Sequence, residues 1–517
     1  MFYLIETEDS LLGLLALIRT RYSVEEKAVR PTRFTYLDTF DWRVWRNDAV
    51  VEYREDKQQK MLIWRSVKDG QAIQEIPVDK QPDFLSEVPE WLRPGKLQST
   101  MKVRAFITQT SSRGQVRSLE ICGKKDKVVA RLEIITESLV KANNRKGEAL
   151  PLRMVIKPVT GYQKDLNVIL SIIEEFKIEG YGKDPFVRLL ELSGREPCDY
   201  SNKPYAHMTM DMRADMVSKD ILLQLLNIMQ KNEEGIRKDI DTEFLHDFRV
   251  SIRRSRSLLS QAGGIFPKTT LQRFYNDLSW LGTITGPLRD YDVWLLAFDS
   301  YQQDLPIKLR SYLEPLREWL QVERAKALKD VIKVLDSKRY ERFTKAWRVY
   351  LECAVPKRTV LPDANRSILA VSGNRIWKTY RKLRKRGDVI DGKSPPTMLH
   401  DLRKTGKKLR YLLEFFRTLY SGRSLNPMIK RLEKLQDYLG TYQDYDVQQA
   451  SLVHFMQGMK EAGKLCDTTQ NAMQYLIDDM AKREKKHRKN FGCYYHIFTH
   501  GKTNSTFKKL FKVEAQS

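Results

Sequence analysis

The chain has 517 residues, 41% of them hydrophobic and 30% charged, with 91 basic against 66 acidic side chains and a formal net charge of +25. This length and apolar content fit a globular protein of roughly two to four domains and exclude a chain too polar to bury a core. The basic surplus favours polyanionic partners (nucleic acid, anionic lipid or polymeric phosphate) without choosing among them. Five scattered cysteines, odd in number and without CxxC spacing, argue against a disulfide framework or zinc knuckle and suit a reducing cytoplasm. The opening "MFYLIETEDS" puts acid before the apolar run "LLGLLALI", where a secretory leader would carry basic residues. No apolar stretch approaches the roughly 20 residues of a membrane span. The expectation is a soluble cytoplasmic protein.

Along the first 200 residues, "RFTYLDTF", "AVVEYRE", "KMLIWRSV", "MKVRAFITQT", "QVRSLEIC" and "VVARLEIITESL" are short, rich in β-branched and aromatic residues, and separated in several places by turn formers. They predict strands. "NVILSIIEEFKI" predicts a helix, and "REPCDYSNKPYAH" a polar linker near residues 195–207. From about residue 210 the pattern changes to long amphipathic helices, broken near 355–365 and 387–397 where Gly and Pro cluster. The last stretch, 501–517, reads as a loose basic tail.

A pair of phrases recurs within this helical region. "LHDFRVSIRRSRSLL" begins at Leu245 and "LHDLRKTGKKLRYLL" at Leu399; "TGPLRDYDV" ends at Val293 and "LGTYQDYDV" at Val447. His246 to His400 and Val293 to Val447 both step 154 residues (400 − 246 and 447 − 293). A constant gap points to a duplicated unit, about 210–355 and 365–500.

On a helix the first phrase resolves into two faces. Leu245, Phe248, Ile252 and Leu259 form an apolar stripe, matched by Leu399, Leu402, Gly406 and Leu413, with Gly406 the one gap. Beside it His246, Arg249, Arg253 and Arg256 fall within an arc of about 80° and span about 15 Å. The second copy supplies His400, Arg403, Lys407 and Arg410. Such a ladder is either a solvated basic face or a rail for a polyanion, gripped by guanidinium forks and lysine point charges. Solvation requires no fixed order of residues, so the ordered recurrence favours the rail. Arg254, Lys408, Lys378 and Lys382 complete the candidate binding set. The histidines as metal ligands would lack companions and face repelling cations; a hydrogen bond to phosphate suits them better. Asp290, Asp292, Asp444 and Asp446 could hold Mg²⁺ or exchange protons, but bracing the arginines is the favoured role.

These residues resemble the CHAD family, the conserved-histidine α-helical domain, whose histidine–arginine helix and "L-G-x-x-[RQ]-D-x-D-V" phrase both occur twice. Thr285 departs from the family's leucine. The resemblance covers roughly 210–500. It implies two pseudo-symmetric helical bundles with basic helices lining a central groove, binding inorganic polyphosphate without catalysis, and association with polyphosphate granules. More faintly, "DTFDWRVWRNDAVVEYR" (38–54) is similar to the CYTH or triphosphate-tunnel family, an antiparallel β-barrel lined with Arg, Lys and Glu. The resemblance places Glu6, Glu8, Arg43, Arg46, Arg54, Arg65 and Arg104 as tunnel remnants, with Glu133 and Glu137 as candidate metal carboxylates. Ser10 replaces the family's lysine, and Glu52 a tunnel arginine.

The expected fold class is therefore α+β multidomain: a degenerate CYTH-like barrel at 1–200, an all-α domain of two bundles at 207–500, and the tail. The expected function is polyphosphate binding with no required cofactor. The rivals are a Mg²⁺-dependent triphosphatase or polyphosphatase in the barrel, and nucleic-acid binding. The latter ranks last because Tyr411 is the only aromatic in either rail and single strands want stacking platforms.

Overall fold

In a computed structural model, described for residues 2–93, 95–140, 146–176, 183–205 and 207–512, the chain divides into two compact units, Met1–Ser201 and Asn202–Ser517. The first unit runs β1 (Phe2–Ile5), α1 (Glu8–Arg19), β2 (Ser23–Asp38), β3 (Ala49–Glu55), β4 (Lys60–Ser66) and β5 (Ala72–Pro77). Then follow α2 (Gly95–Met101), β6 (Ile107–Cys122), β7 (Val128–Val140), β8 (Lys146–Ala149), β9 (Leu152–Pro158), α3 (Gln163–Glu175) and α4 (Pro185–Leu192). The strands form one antiparallel sheet in the order β1-β9-β7-β6-β2-β3-β4-β5, with β8 on β7. Its end strands do not pair among the described residues, so the expected closed barrel is an open sheet. The sheet curls nonetheless: Lys157 of β9 reaches Glu75 of β5 at 2.9 Å, and Arg153 of β9 reaches Glu52 of β3 at 3.1 Å.

Alternation along the strands gives the sheet two unlike faces. On the outside, Leu119, Ile121, Leu132, Ile134, Met154 and Ile156 bury against α1 and α3. Val51, Tyr53, Leu62 and Trp64 do the same against Leu97 and Met101 of α2. The inner, concave face carries Tyr36, Glu52, Arg54, Arg65, Glu137 and Arg153. The loop after β2 explains the conspicuous "DTFDW" phrase: buried Asp38 accepts from the backbone N–H of Thr39, Val44 and Trp45 at 2.6, 2.9 and 2.8 Å. That role is a scaffold for the loop.

The second unit is helical: α5 (Ala214–Lys231), α6 (Glu233–Arg237), α7 (Thr242–Leu259), α8 (Lys268–Ile284), α9 (Gly286–Asp304), α10 (Glu314–Leu335) and α11 (Lys338–Glu352). The second half follows as α12 (Ile368–Gly387), α13 (Pro396–Phe415), α14 (Gly422–Glu461), α15 (Asp467–Arg488), α16 (Phe491–Thr499) and α17 (Gly501–Phe511). The 154-residue step holds for structure as well as phrase. Ala214 and Ile368, Thr242 and Pro396, and Lys268 and Gly422 are equivalent helix starts. The one large difference is that α8 and α9 correspond to the single helix α14. Pro287 in the first turn of α9 has no N–H to extend the hydrogen-bond ladder of α8, whereas its counterpart Thr441 has one and α14 runs on, past its own Pro427 as well.

A pseudo-two-fold relation is visible where the halves meet. Arg213 and Ser367, equivalent by the same step, pair as an antiparallel bridge. Ala214 N–H donates to Arg366 O at 2.9 Å, and its counterpart Ile368 N–H to Met212 O at 2.7 Å. Residues from 501 onward are not a loose tail as far as Lys512: α17 buries Thr503, Phe507 and Phe511, with Phe507 stacked on Tyr380 of α12 at 3.8 Å. Residues 513–517 lie outside the described residues. No helix among the described residues is long and apolar enough to cross a membrane.

Candidate functional site

Helix α7 is started by Asp241, whose carboxylate accepts from the N–H of Glu243 and Phe244 at 2.9 and 3.3 Å. Its predicted apolar stripe is buried: Leu245, Phe248, Ile252 and Leu259 are at most 3% exposed. The same holds for Leu399, Leu402 and Leu413 of α13. The gap at Gly406 is filled from the facing helix by Gln436, whose amide donates to Gly406 O at 2.6 Å. In the first copy the sizes are exchanged, Ile252 facing Gly282. One large and one small residue fill the same space in opposite order.

With the stripes buried, α7 packs against α13 and the two ladders converge. Burial first, then the neighbouring Arg253, pull Arg249 below its ordinary pKa. Arg403 is lowered by burial and by Arg253 from the other half, against the opposing pull of Asp444. Lys407 is pushed down to about 8 by burial and then by Arg403, Arg253 and Arg410, with Asp444 alone opposing. These shifts describe a partly desolvated cluster of cations with too few carboxylates. Among the described residues Arg253 and Lys407 have no ion-pair or hydrogen-bond partner.

The second phrase lies directly on the first, which accounts for their constant spacing. Arg249 donates to Gly282 O at 2.8 Å and to the Thr285 hydroxyl at 2.7 Å. Thr285, the departure from the family pattern, thus holds a rail arginine. Asp290 sits within electrostatic reach of Arg249, and its counterpart Asp444 lies 3.8 Å from Arg403. Asp292, 1% exposed, takes Arg324 at 2.7 Å, and Arg324 also takes Asp239 at 2.7 Å. Asp446 accepts from Gln443 at 3.2 Å. His400 Nδ1 is hydrogen-bonded to Gln443; His246 is half-buried at the equivalent place. Asp290 and Asp444 thus face ladder arginines as expected, whereas Asp292 and Asp446 are taken by Arg324 and Gln443, which are not ladder residues; none of the four joins a metal-binding group of His, Cys, Asp or Glu among the described residues.

A cleft of about 680 Å³ opens over the rails, lined by Arg253, Arg256, Lys378, Lys382, Arg386, Lys404, Lys407, Lys408, Tyr275 and Tyr411 among others. Of the candidate set, Arg253, Arg256, Lys378, Lys382, Lys407 and Lys408 line this cleft, whereas His246, Arg249, His400, Arg403 and Arg410 do not. Arg254 leaves the rail altogether. It is 7% exposed, donates to Asn202 O at 2.5 Å and pairs with Glu414 at 3.3 Å, so its guanidinium ties the two halves together. Lys404, Arg386 and Tyr275 join the cleft without having stood out in the sequence. Lys404 lies about 100° around from Arg403, and only the wall formed by α12 turns its position into cleft. Tyr275 comes from α8, under Arg256 at 5.1 Å, with no signal in the repeated phrases.

The sheet unit departs further from expectation. Glu6 and Glu8 do not enter the concave face: both are exposed, and Glu8 pairs with Arg117 at 2.6 Å. The inward residues of β1 are instead apolar: Leu4, register partner of Arg153, and Phe2, whose ring centre lies 6.0 Å from both the Arg65 and Arg153 guanidinium carbons. Arg43 and Arg46 belong to the loop after β2, pairing with Asp41 and donating to Tyr200 O respectively. Arg104 is buried beside Asp41.

Inside, Arg54, Arg65 and Arg153 all contact fully buried Glu52, at 2.6, 3.4 and 3.1 Å. Arg65 also grips Asp184, the N-cap of α4, through two bonds of 2.5 and 2.8 Å. Glu137 is paired with Arg153 and accepts from Tyr36 and Ser112; Glu133 takes Arg54 and Lys157. Burial opposes ionisation of Glu52, but the three arginines outweigh it and hold its carboxyl well below the usual range. Arginines interleaved with committed carboxylates do not fit a divalent cation.

Residues 220–453 match the family model of the CHAD domain. The helical unit carries a CHAD domain. Among solved structures, the CHAD domain from the plant Ricinus communis shares 25% identity at a TM-score of 0.48, over 57% of this chain and 96% of that one. PptA from Streptomyces chartreusis shares 15% identity at 0.43, over 55% and 99%. A candidate adenylate cyclase from Bacillus halodurans shares 11% identity at 0.25, over 36% and 94%. All three TM-scores lie below 0.5, and the assignment of the CHAD domain rests on the family match together with its repeated phrases. No curated protein matches the chain.

Proposed function

We propose that the CHAD domain binds inorganic polyphosphate, without turning it over, along the paired ladders of α7 and α13. The observation that supports this reading is the cation cluster of Arg249, Arg253, Arg403 and Lys407, converging from both halves and short of carboxylates. Concentrating like charges in a partly desolvated place is unfavourable unless an anion completes it. A bare phosphate polymer supplies charge and bidentate acceptors and asks for nothing else. The aromatics nearby are already covered by arginine: Tyr275 by Arg256, and Tyr411, 7% exposed, by Arg254 and Arg410. Among the described residues, the two aromatics lining the cleft thus already have arginine partners for their rings, which favours polyphosphate over single-stranded nucleic acid. Recruitment to polyphosphate granules would be the cellular use of such a site.

The test is replacement of Arg249, Arg253 and Arg256, or of Arg403, Lys407 and Arg410, by Gln. Charged hydrogen bonds contribute about 1.5–3 kcal/mol each, and partial exposure places these near the low end. Either triple variant is expected to weaken polyphosphate binding at least tenfold with helical content unchanged, and both together to nearly abolish it. Binding should also fall steeply with salt. A flat salt response, or tighter binding of single-stranded DNA in competition, would overturn the reading.

A further inference from the structure

A second cleft of about 650 Å³ adjoins the first and shares Lys378, Lys382, Arg386 and Asp401 with it. Its remaining lining is Arg381 and Lys385 of α12, with Val389 and Met398. Lys378, Arg381, Lys382 and Lys385 stand at i, i+3, i+4 and i+7, one face of the helix, over about 10 Å of axis. All four are exposed, and among the described residues none has a carboxylate or hydrogen-bond partner. Their neighbours do: Arg384 pairs with Asp388 at 3.3 Å, and Arg386 donates to Thr405 at 2.6 Å.

The repeat shows that the fold itself does not require these charges. By the 154-residue step the equivalents in α5 are Gln224, Asn227, Ile228 and Lys231, one cation where α12 has four. That face is also closed in the first half, where Ile228 is 7% exposed and Asn227 is held by Arg348 at 2.6 Å. Positive charge therefore continues out of the central cleft past α12 and has no counterpart past α5.

We infer that the α12 face is a one-sided extension track that selects long polyphosphate chains over short ones, an inference that rests on the rails being the polyphosphate site. A short oligophosphate is satisfied by the rails alone. A long chain leaving them keeps cations beside it only along α12, so length adds affinity on that side. Val389 and Met398 line the same cleft, an apolar surface suited to lysine stems whose charged ends stay in water, where the chain passes.

The experiment compares tripolyphosphate with long-chain polyphosphate on the full chain, in a variant with Arg381 and Lys385 changed to Gln, the two track cations that do not line the central cleft. The matched control changes Lys508 and Lys509 to Gln, for the same loss of charge. Long-chain affinity is expected to fall at least threefold, and its slope of log K against log salt to become shallower by about 1.4, from roughly 0.7 per lost phosphate contact. Tripolyphosphate affinity should stay within twofold, and the control should change neither. The single Lys385→Gln variant should show half of the slope change with the circular-dichroism spectrum of the parent. Equal losses for both lengths, or none for the long chain, would overturn the track. Loss of neither ligand in the Arg249/Arg253/Arg256 variant would instead overturn the rail reading beneath it.

Discussion

Lys407 is where the electrostatic strain of the cluster is most measurable. Its ammonium is pushed down to about 8 by burial and by Arg403, Arg253 and Arg410. A bound polyanion offsets those cations and returns the lysine toward its ordinary value near 10.4. Affinity should then be level below about pH 7 and weaken as pH rises through 8 toward 10. Each unit of pKa difference is a factor of ten, so the fall could reach about a hundredfold. Lys407→Arg should flatten the profile, because guanidinium keeps its proton throughout. The free protein should respond in the opposite sense. A lysine whose folded pKa is depressed is costly to keep charged, so the penalty is full below pH 8 and fades as pH approaches the unfolded value. Relative to Lys407→Gln, the free protein should therefore gain stability between about pH 8 and 10. Isothermal titration across that range and melting curves of the free protein check both halves; a profile identical to that of Lys407→Arg would exclude Lys407 from the site.

At the scale of elements, the contrast between α8–α9 and α14 is an internal experiment in helix termination. Thr441 occupies the place of Pro287, is exposed, and lies next to Gly440, where a side chain's first carbon would come within 3.7 Å of Arg403 Nη2. Proline there would remove a helical hydrogen bond and clash with the preceding turn, at a cost of about 3 kcal/mol. Thr441→Pro should lower the melting temperature and, by shifting the turn under Arg403, also weaken polyphosphate binding. Pro287→Thr should leave the fold close to parent stability, because the same space accepts a continuous helix in the second half. Circular-dichroism melts of the two variants side by side decide it: equal effects would mean the break in the first half is not set by Pro287. The repeated phrases made the stripe, the ladders and the duplication legible, because period and order are written in one stretch of chain. What was not legible depends on neighbours from elsewhere. Lys404 needed α12 as a facing wall, Arg254 needed Glu414 and Asn202, and α17 needed the ring of Tyr380 to become a packed helix. The Glu6 and Glu8 match failed for a related reason: β1 ends at Ile5, so both acids fall beyond the strand and outside the concave face.

Charge is distributed unequally over the whole molecule, and the inequality follows the two interiors. Residues 1–201 hold 33 basic and 30 acidic side chains; residues 202–517 hold 58 and 36. The first unit is nearly neutral because its buried cations have internal anions. Glu52 and Asp184 occupy positions against Arg54, Arg65 and Arg153 that phosphate oxygens would need. Displacing such a buried ion network leaves charges unpaired and costs about 3–5 kcal/mol for each lost partner, so a triphosphate has little to gain by entering. The helical unit keeps its surplus uncompensated at the cleft, and binding should reside there. Purified full-length protein with Mg²⁺ or Mn²⁺ is accordingly expected to release no phosphate from tripolyphosphate or ATP above background, while still binding long polyphosphate. The informative variants lie inside the concave face, not at the N-terminus. Metal-dependent phosphate release that is abolished by Glu133→Gln or Glu137→Gln and unaffected by the Arg249/Arg253/Arg256 changes would show that the first unit is an enzyme after all. Release that is absent in the parent but appears in Glu52→Gln would show that this one carboxylate is what keeps the sheet from acting on phosphate.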